Sequence, residues 1–450
     1  MTPSDPSRRD FLRTTAAVGL GAALSPAGRL AAETPHQATA LFAAPPMERV
    51  RIGFVGVGGQ GSVHVDNLLK IEGVEIRAIC DIVEWKVARA QDAVVAADQP
   101  KPAGYARGPR DFERMCAEQD LDLVFTATPW EWHVPVMLAA LQHGKHAATE
   151  VPAAMTVDDC WQLVETAEQR HKHCVMMENC CYDRREMLAL HLVRKGILGE
   201  VLHAECGYLH DLRATKFAKE GEGLWRRAWS QQADGNLYPT HGLGPIAQCM
   251  DINRGNRFDF LVSMSSNHRG LEQYAAEHFP DADPRRRERY KLGDVNLTLI
   301  RTLKGQTIYL SHNTNNPRPY SRLNLLQGTK GIIQGWPDRI HIEGRGPEHA
   351  WEPLTRYYDE FEHPLWKSAR VQRATAGHGG MDFLEDWRLI QCLRAGLPTD
   401  QTVYDAAAWS AIVELTMRSV ASRGRSQDMP DFTRGKWQTT PPLGIVDGES

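Results

Sequence analysis

Beyond residue 48 the chain alternates short apolar runs with amphipathic stretches of helical period. Residues 50–55 are a β-branched run, followed by clustered glycines and then by Val63, Leu68 and Leu69 at helical spacing, so a strand, a tight turn and a helix are predicted. Residues 74–81 form a second strand ending in Asp81, and residues 86–97 a second helix. Residues 121–129 read as a third strand, 133–144 as a helix stopped by Gly144, 145–152 as another strand, and 156–171 as a helix with Thr156 at its N-cap. Strand and helix in strict alternation predict a doubly wound parallel sheet of Rossmann type over residues 49–172.

After residue 172 the texture changes. Residues 173–180 read as one more strand and 184–199 as a helix, and longer alternating runs follow at 201–210, 258–267, 295–314, 322–337 and 339–344. Lys304-Gly305 between two alternating runs predicts an antiparallel hairpin. Residues 173–435 are therefore expected to form an α+β domain with an open, mainly antiparallel sheet. Residues 403–422 are expected to form one helix that packs back, with a tail over 436–450.

The N-terminus follows other rules. Arg8-Arg9, then Asp10-Phe11-Leu12, a small-residue apolar run to Pro26 and Leu30-Ala31-Ala32 read as a twin-arginine export signal over 1–33, with a linker over 34–48. The chain is thus expected to meet the twin-arginine export machinery and to be periplasmic or secreted. The signal's apolar run is too short for a stable membrane span, and no later segment approaches about 18 uninterrupted apolar residues. The nine cysteines show no C-x-x-C and no framework spacing, so buried free thiols are expected, without metal. That suits a route that exports proteins already folded in a reducing compartment with any cofactor in place. A net charge of −4 offers no basic surface for nucleic acid.

The candidate chemistry begins at Gly56, Gly58 and Gly61, which fit G-x-G-x-x-G between a predicted strand and a predicted helix. Glycine permits the tight turn and the close approach of backbone to a pyrophosphate, and the helix N-terminus favours its charge. Asp81, about 20 residues on, would accept ribose hydroxyls and repel a 2′-phosphate, which points to NAD. Trp130, Glu131, Trp132 and His133 follow Pro129 at the end of a strand, where a loop lining a pocket is expected. Tyr208, Arg226 between Trp225 and Trp229, Tyr238 with His241, and Tyr320 on a proline-bounded loop are candidates for a second, substrate-facing wall. Tyr238 and His241 offer proton transfer near neutrality, whereas Arg226 suits a sugar hydroxyl or a surface ion pair equally well. Glu150-Val151-Pro152 is a further marker, because a lysine commonly occupies the middle position in related nicotinamide enzymes.

These residues carry a resemblance. The first half resembles the glucose–fructose oxidoreductase and inositol dehydrogenase superfamily, and nearly the whole chain after the signal resembles glycoside hydrolase family 109, the NAD-dependent α-N-acetylgalactosaminidases. The match runs through Gly58–Gly61, Trp130–His133, Glu150–Pro152, Met177–Tyr182, Gly235–His241 and Asn316–Tyr320. The resemblance implies NAD contacts at Gln60, Gly61, Asp81, Trp130, Glu131, Trp132, His133, Glu150, Val151 and Asn179. It implies contacts to a small-molecule or glycan substrate at Tyr208, Arg226, Tyr238, Pro239, Thr240, His241 and Tyr320.

The expected activity is hydrolysis of terminal N-acetylgalactosaminides by transient oxidation at C3, elimination across C1–C2, addition of water and re-reduction. His241 with Tyr238 is expected at the C3 hydroxyl, and Tyr182 or Tyr320 at the C2 proton. The rival readings are an NAD-dependent sugar dehydrogenase and a non-enzymatic sugar- or NAD-binding protein. Val151 in place of lysine, and Leu237 in place of an aspartate four residues before His241, stand against the dehydrogenase. Homo-oligomerisation is left open.

Overall fold

The computed structural model describes residue 42 and residues 44–368 and 378–447. The export segment and most of the expected linker lie outside the described residues. Six strands, β1 (Val50–Val55), β2 (Val74–Cys80), β3 (Ala103–Tyr105), β4 (Leu123–Thr126), β5 (His146–Thr149) and β6 (Cys174–Met176), form one parallel sheet in the order β3-β2-β1-β4-β5-β6. Helices on both faces bury its strands: every residue of β4 and β5 is buried, and Ile52, Phe54, Leu123 and Phe125 are wholly enclosed. The short strand β3 is absent from the sequence reading because three residues, Ala103-Gly104-Tyr105, carry too little apolar period to announce it.

Strand β6 pairs in parallel with β5 and closes this sheet, so the parallel half runs past residue 172, where the sequence pattern placed its end. The N-cap at Thr156 is present, its hydroxyl accepting the Asp159 N–H at 3.1 Å. Gly144 follows the helix Trp130–Gln142 at a φ of +74°, a backbone region that suits glycine.

The second sheet has nine strands: β7 (Val201–Leu209), β8 (Phe258–Ser265), β9 (Asn296–Thr302), β10 (Thr307–Asn313), β11 (Leu325–Gly328), β12 (Gly331–Gln334), β13 (Arg339–Ile342), β14 (Glu352–Pro353) and β15 (Gln427–Asp428). Their order is β14-β13-β12-β11-β7-β10-β9-β8-β15, antiparallel throughout except for the parallel pair β7–β10. The β9–β10 hairpin turns at Lys304-Gly305, with Gly305 at a φ of +87°. In β9 the residues alternate strictly, Asn296, Thr298, Ile300 and Thr302 buried and Leu297, Leu299 and Arg301 exposed, as one covered and one open face require.

Two features position the site. The helix Thr240–Cys249 lies directly on β7: a Cβ on Gly242 would stand 2.4 Å from the backbone nitrogen of Gly207. Two residues further, a Cβ on Gly244 would stand 2.9 Å from Glu178 Cγ and 3.0 Å from the Trp409 ring. Glycine is needed here for approach distance rather than for an unusual φ.

The second feature is the return of the C-terminal segment to the first sheet. The helix Met381–Ala395 packs on the helix Gly59–Leu68, and the helix Val403–Ser410 packs on the helix Val157–Arg170. The single helix expected over 403–422 is interrupted at Ala411 and resumes over Ile412–Ala421, which reaches β8. Of the tail, Leu443 and Ile445 are buried in the core. All nine cysteines are free and buried.

Gly242→Ala is expected to destabilise the chain by about 1–3 kcal/mol, the usual cost of overpacking, because neither backbone segment has a side chain to move aside. A chemical-denaturation midpoint equal to wild type would show that the helix can retreat from β7 without cost.

Candidate active site

A cavity of about 730 Å³ opens between the carboxyl ends of the parallel strands and the β7 side of the second sheet. At one end lies the glycine turn. Gly56 has a φ of +84°, and a Cβ on Gly61 would fall 1.9 Å from the Gly56 carbonyl oxygen. Gly61 is therefore the residue that lets helix and strand meet, and it stands behind the cavity wall. Gly58 and Gly59 line the cavity, and a Cβ on Gly59 would meet nothing within 4 Å. The two leave a cradle that bare backbone N–H groups of a helix N-terminus can fill with phosphate oxygens. Asp81 closes the adenosine end; its carboxylate accepts the N–H groups of Val57 and Val83, both at 2.9 Å, and so faces the position of a ribose with a fixed orientation. These residues fit NAD.

Trp130, Trp132 and His133 line the same cavity, but as the first turn of a helix rather than as a loop. Pro129, with its φ near −57°, is the N-cap, a position that needs no donated N–H. His133 acts as a staple: its ring nitrogens lie 2.8 Å from the carbonyl oxygens of Thr128 and Pro152, joining the β4 turn to the Glu-Val-Pro turn. Glu131 points to solvent and does not line the cavity. Glu150, Val151 and Asn179 do line it.

The opposite wall is aromatic and basic. The Arg226 guanidinium lies over the rings of Trp130, Trp225 and Tyr238, at 5.1, 4.9 and 4.6 Å, and its Nε donates to Glu222 at 3.0 Å. Arg226 thus lines the cavity and forms an ion pair at the same time. Tyr208, Tyr238 and His241 form a cluster, with ring centroids 4.6 to 5.4 Å apart. Burial raises the phenol of Tyr208 to about 12, and raises Tyr238 well above its ordinary value against the pull of Arg226.

His241 Nδ1 donates to Glu178 Oε1 at 2.7 Å, and Glu178 is wholly buried. A carboxylate only accepts, so the ring is held with Nε2 as its remaining proton site. This glutamate was missed in the sequence because it reads as the end of a strand. The usable signal was its place immediately before Asn179, a position implied to meet the cofactor. Leu237 does lack the carboxylate, but the chain supplies one from 63 residues upstream.

Glu178, Cys180 and His241 bring ligand atoms within 4.8 Å of one another. The histidine and glutamate already satisfy each other, and burial pushes the Cys180 thiol well up, away from thiolate, so the set does not fit a metal.

Besides Gly61 and Glu131, four expected residues stand outside the lining. Tyr182 is buried, with its hydroxyl donating to Asp400 at 3.1 Å, and burial followed by that carboxylate raises its pKa well above the ordinary value. Its expected role at the C2 proton does not match this position. Tyr320 packs behind Tyr208 and His210, and its hydroxyl accepts from Arg322 at 3.0 Å. Pro239 and Thr240 are buried at the start of the helix that carries His241. Conversely, His210 lines the cavity, 3.0 Å from the Tyr208 hydroxyl, and was not anticipated. Among the described residues lining the cavity the one lysine is Lys86, beside Gly58 and away from the Tyr/His cluster.

Residues 182–439 match the family model for the glycosyl hydrolase 109 C-terminal domain, and residues 50–178 match the NAD-binding Rossmann fold of an oxidoreductase family. Residues 5–25 match a twin-arginine translocation signal, which marks the chain for export. No helix among the described residues is long and apolar enough to cross a membrane. A glycosyl hydrolase family 109 protein of Solibacter usitatus is 48% identical, with 97% of this chain and 99% of that one covered. A protein of Shewanella oneidensis named alpha-N-acetylgalactosaminidase is 44% identical, with 98% of each covered.

Among solved structures, levoglucosan dehydrogenase in complex with NADH aligns with a TM-score of 0.65 at 18% identity, over 85% of this chain and all of that one. Scyllo-inositol dehydrogenase from Lactobacillus casei aligns at 0.61 and 15%, over 84% and 99%. At such identities these two speak for the fold alone. The extent and level of the sequence matches settle the family: the chain belongs to glycosyl hydrolase family 109, built on an NAD-binding Rossmann domain.

Proposed function

We propose that this chain hydrolyses terminal N-acetylgalactosaminides, α-linked ones foremost, through a cycle that leaves its cofactor unchanged. The observation that carries the reading is the single cavity that joins the NAD cradle to a Tyr/His cluster with no lysine at its nicotinamide end. NAD held by the glycine cradle and Asp81 would supply reversible hydride acceptance, so that oxidation at C3 would be temporary.

The residues divide the proton work. His241, oriented by Glu178, takes the proton of the C3 hydroxyl at Nε2 and gives it back on re-reduction. Tyr238 stands against the same ring and orients the sugar. The C2 proton falls to the phenols that face the cavity, of which Tyr208 shares a 3.0 Å hydrogen bond with His210. The Arg226 charge near both phenols opposes, without overcoming, the effect of burial on them. The same guanidinium, held over three aromatic rings, is suited to an acyl carbonyl or a ring hydroxyl of the sugar.

An aryl N-acetylgalactosaminide given to the purified chain is expected to release its phenol with no growth of absorbance at 340 nm. Accumulation of NADH from free sugar, without phenol release, would establish the dehydrogenase reading instead.

His241→Ala is expected to lower kcat by about 100-fold or more, the range of a lost acid–base group. Glu178→Gln keeps an acceptor for Nδ1 but removes the negative charge beside the ring. It is expected to lower kcat at least about tenfold while KM and bound NAD stay near wild type. Near-wild-type kcat in either variant would remove the assignment of that residue.

A further inference from the structure

Asp382, at the start of the C-terminal helix Met381–Ala395, is fully buried and is the meeting point of three side chains. Gln60 Nε2 donates to its Oδ2 at 3.2 Å and Asn179 Nδ2 to its Oδ1 at 2.7 Å, both from the cofactor half of the chain. The third is His378, whose Nδ1 donates to Oδ2 at 2.9 Å. With Nδ1 engaged, Nε2 is the open end of this ring. His378 lines the cavity, and 59% of its side chain is exposed.

Its position along the cavity follows from its neighbours. Gln60 is in the first turn of the helix that opens on the glycine cradle, where a pyrophosphate is held. Gln60 and His378 share one carboxylate oxygen, so the imidazole stands beside that turn. Lys86 stands at the same turn on the side of the helix Glu84–Ala96, near Gly58.

The cavity's other charged groups do not serve a dianion there. Arg226 is paired with Glu222 on the aromatic wall, and Asp81, Glu150, Glu220 and Glu222 are acids. His133 is locked between two carbonyl groups, and His241 is committed to Glu178.

We propose that His378 is a cofactor-binding residue, its Nε2–H donated to the pyrophosphate of NAD, so that a segment far from the Rossmann domain in sequence helps to retain the dinucleotide. The groups that act on the ring are Asp382 in the helix that follows it, Glu150 just after β5 and Arg322 in the segment before β11. The hydrogen bond to Asp382 raises its pKa most, Glu150 adds to this, and burial and Arg322 oppose it. The charged ring is thus favoured on the acid side, and retention weakens as the pH rises through its titration.

The contact itself rests on NAD binding; its value to an enzyme that never exchanges cofactor rests on the glycosidase reading, and the test needs no catalysis. Full-length protein stripped of cofactor is titrated with NADH at pH 6 and pH 9, read by energy transfer from the cavity tryptophans. His378→Gln is expected to weaken NADH binding about tenfold at pH 6, the size of one charge-assisted hydrogen bond, and to flatten the pH dependence that wild type shows. The as-purified variant is expected to carry less NAD after gel filtration and denaturation.

An exposed histidine can be replaced without threatening the fold, and an unchanged thermal midpoint checks this. Asp382→Asn, which removes the charge behind the ring, is the second variant and is expected to move affinity in the same direction. Wild-type affinity and wild-type pH dependence in His378→Gln would overturn the proposal. So would unchanged NADH binding with a raised KM for an aryl glycoside, which would assign the ring to the sugar.

Discussion

The bare backbone contact between Gly242 and Gly207 brings the helix that carries His241 down onto β7, and the rest of the site depends on that approach. With the helix at this depth, Gly244 passes Glu178 closely enough for the buried carboxylate to accept a hydrogen bond from His241 Nδ1. A side chain at Gly242 would lift the helix, and an unpaired, wholly buried glutamate would remain beneath it at considerable cost. The chemistry and the packing are in this sense one arrangement: the carboxylate is tolerable because it orients the histidine, and the histidine is oriented because two glycines permit the contact.

A second buried polar system holds the cofactor half to the C-terminal helix. The ring of His64 lies between Asp386 at 2.8 Å and Glu150 at 2.8 Å, with both nitrogens donating to carboxylates. Burial opposes the charge on this ring, but the two carboxylates prevail and hold its pKa well above the ordinary value. Asn67 also donates to Asp386, while burial raises the carboxyl of neighbouring Glu385 well above its ordinary value. Glu150 is therefore fixed from behind by a cation that no local reading of Glu-Val-Pro reveals. The missing lysine at Val151 leaves this support intact and removes only a proton donor at the nicotinamide end.

How much of this was legible in the sequence follows from the range of each interaction. The parallel sheet, the glycine turn, Asp81 and the β9–β10 hairpin rest on local period and local turn chemistry, and the order of residues carries both. Tyr238 and His241 were legible because they share one short constrained segment. What was not legible comes from contacts between distant segments. Tyr182 is drawn to Asp400, Glu178 meets His241, and Asp382 gathers Gln60 and Asn179 across some 200 to 320 residues. A tyrosine in a matching motif announces a phenol but not the direction in which the hydroxyl points. The strand at Cys174–Met176 was assigned to the wrong sheet for a related reason: a short buried strand carries no mark of its neighbour.

The proposed cycle breaks the glycosidic bond by elimination after oxidation, and not by displacement at C1. The direct measurement is turnover of an aryl N-acetylgalactosaminide carrying deuterium at C2, in ordinary water, with the sugar product examined by mass spectrometry. Proton removal at C2 predicts a product in which that deuterium has been replaced by solvent hydrogen, together with a slower turnover than the unlabelled substrate. A product that keeps all its deuterium at C2, formed at an unaltered rate, would contradict the account.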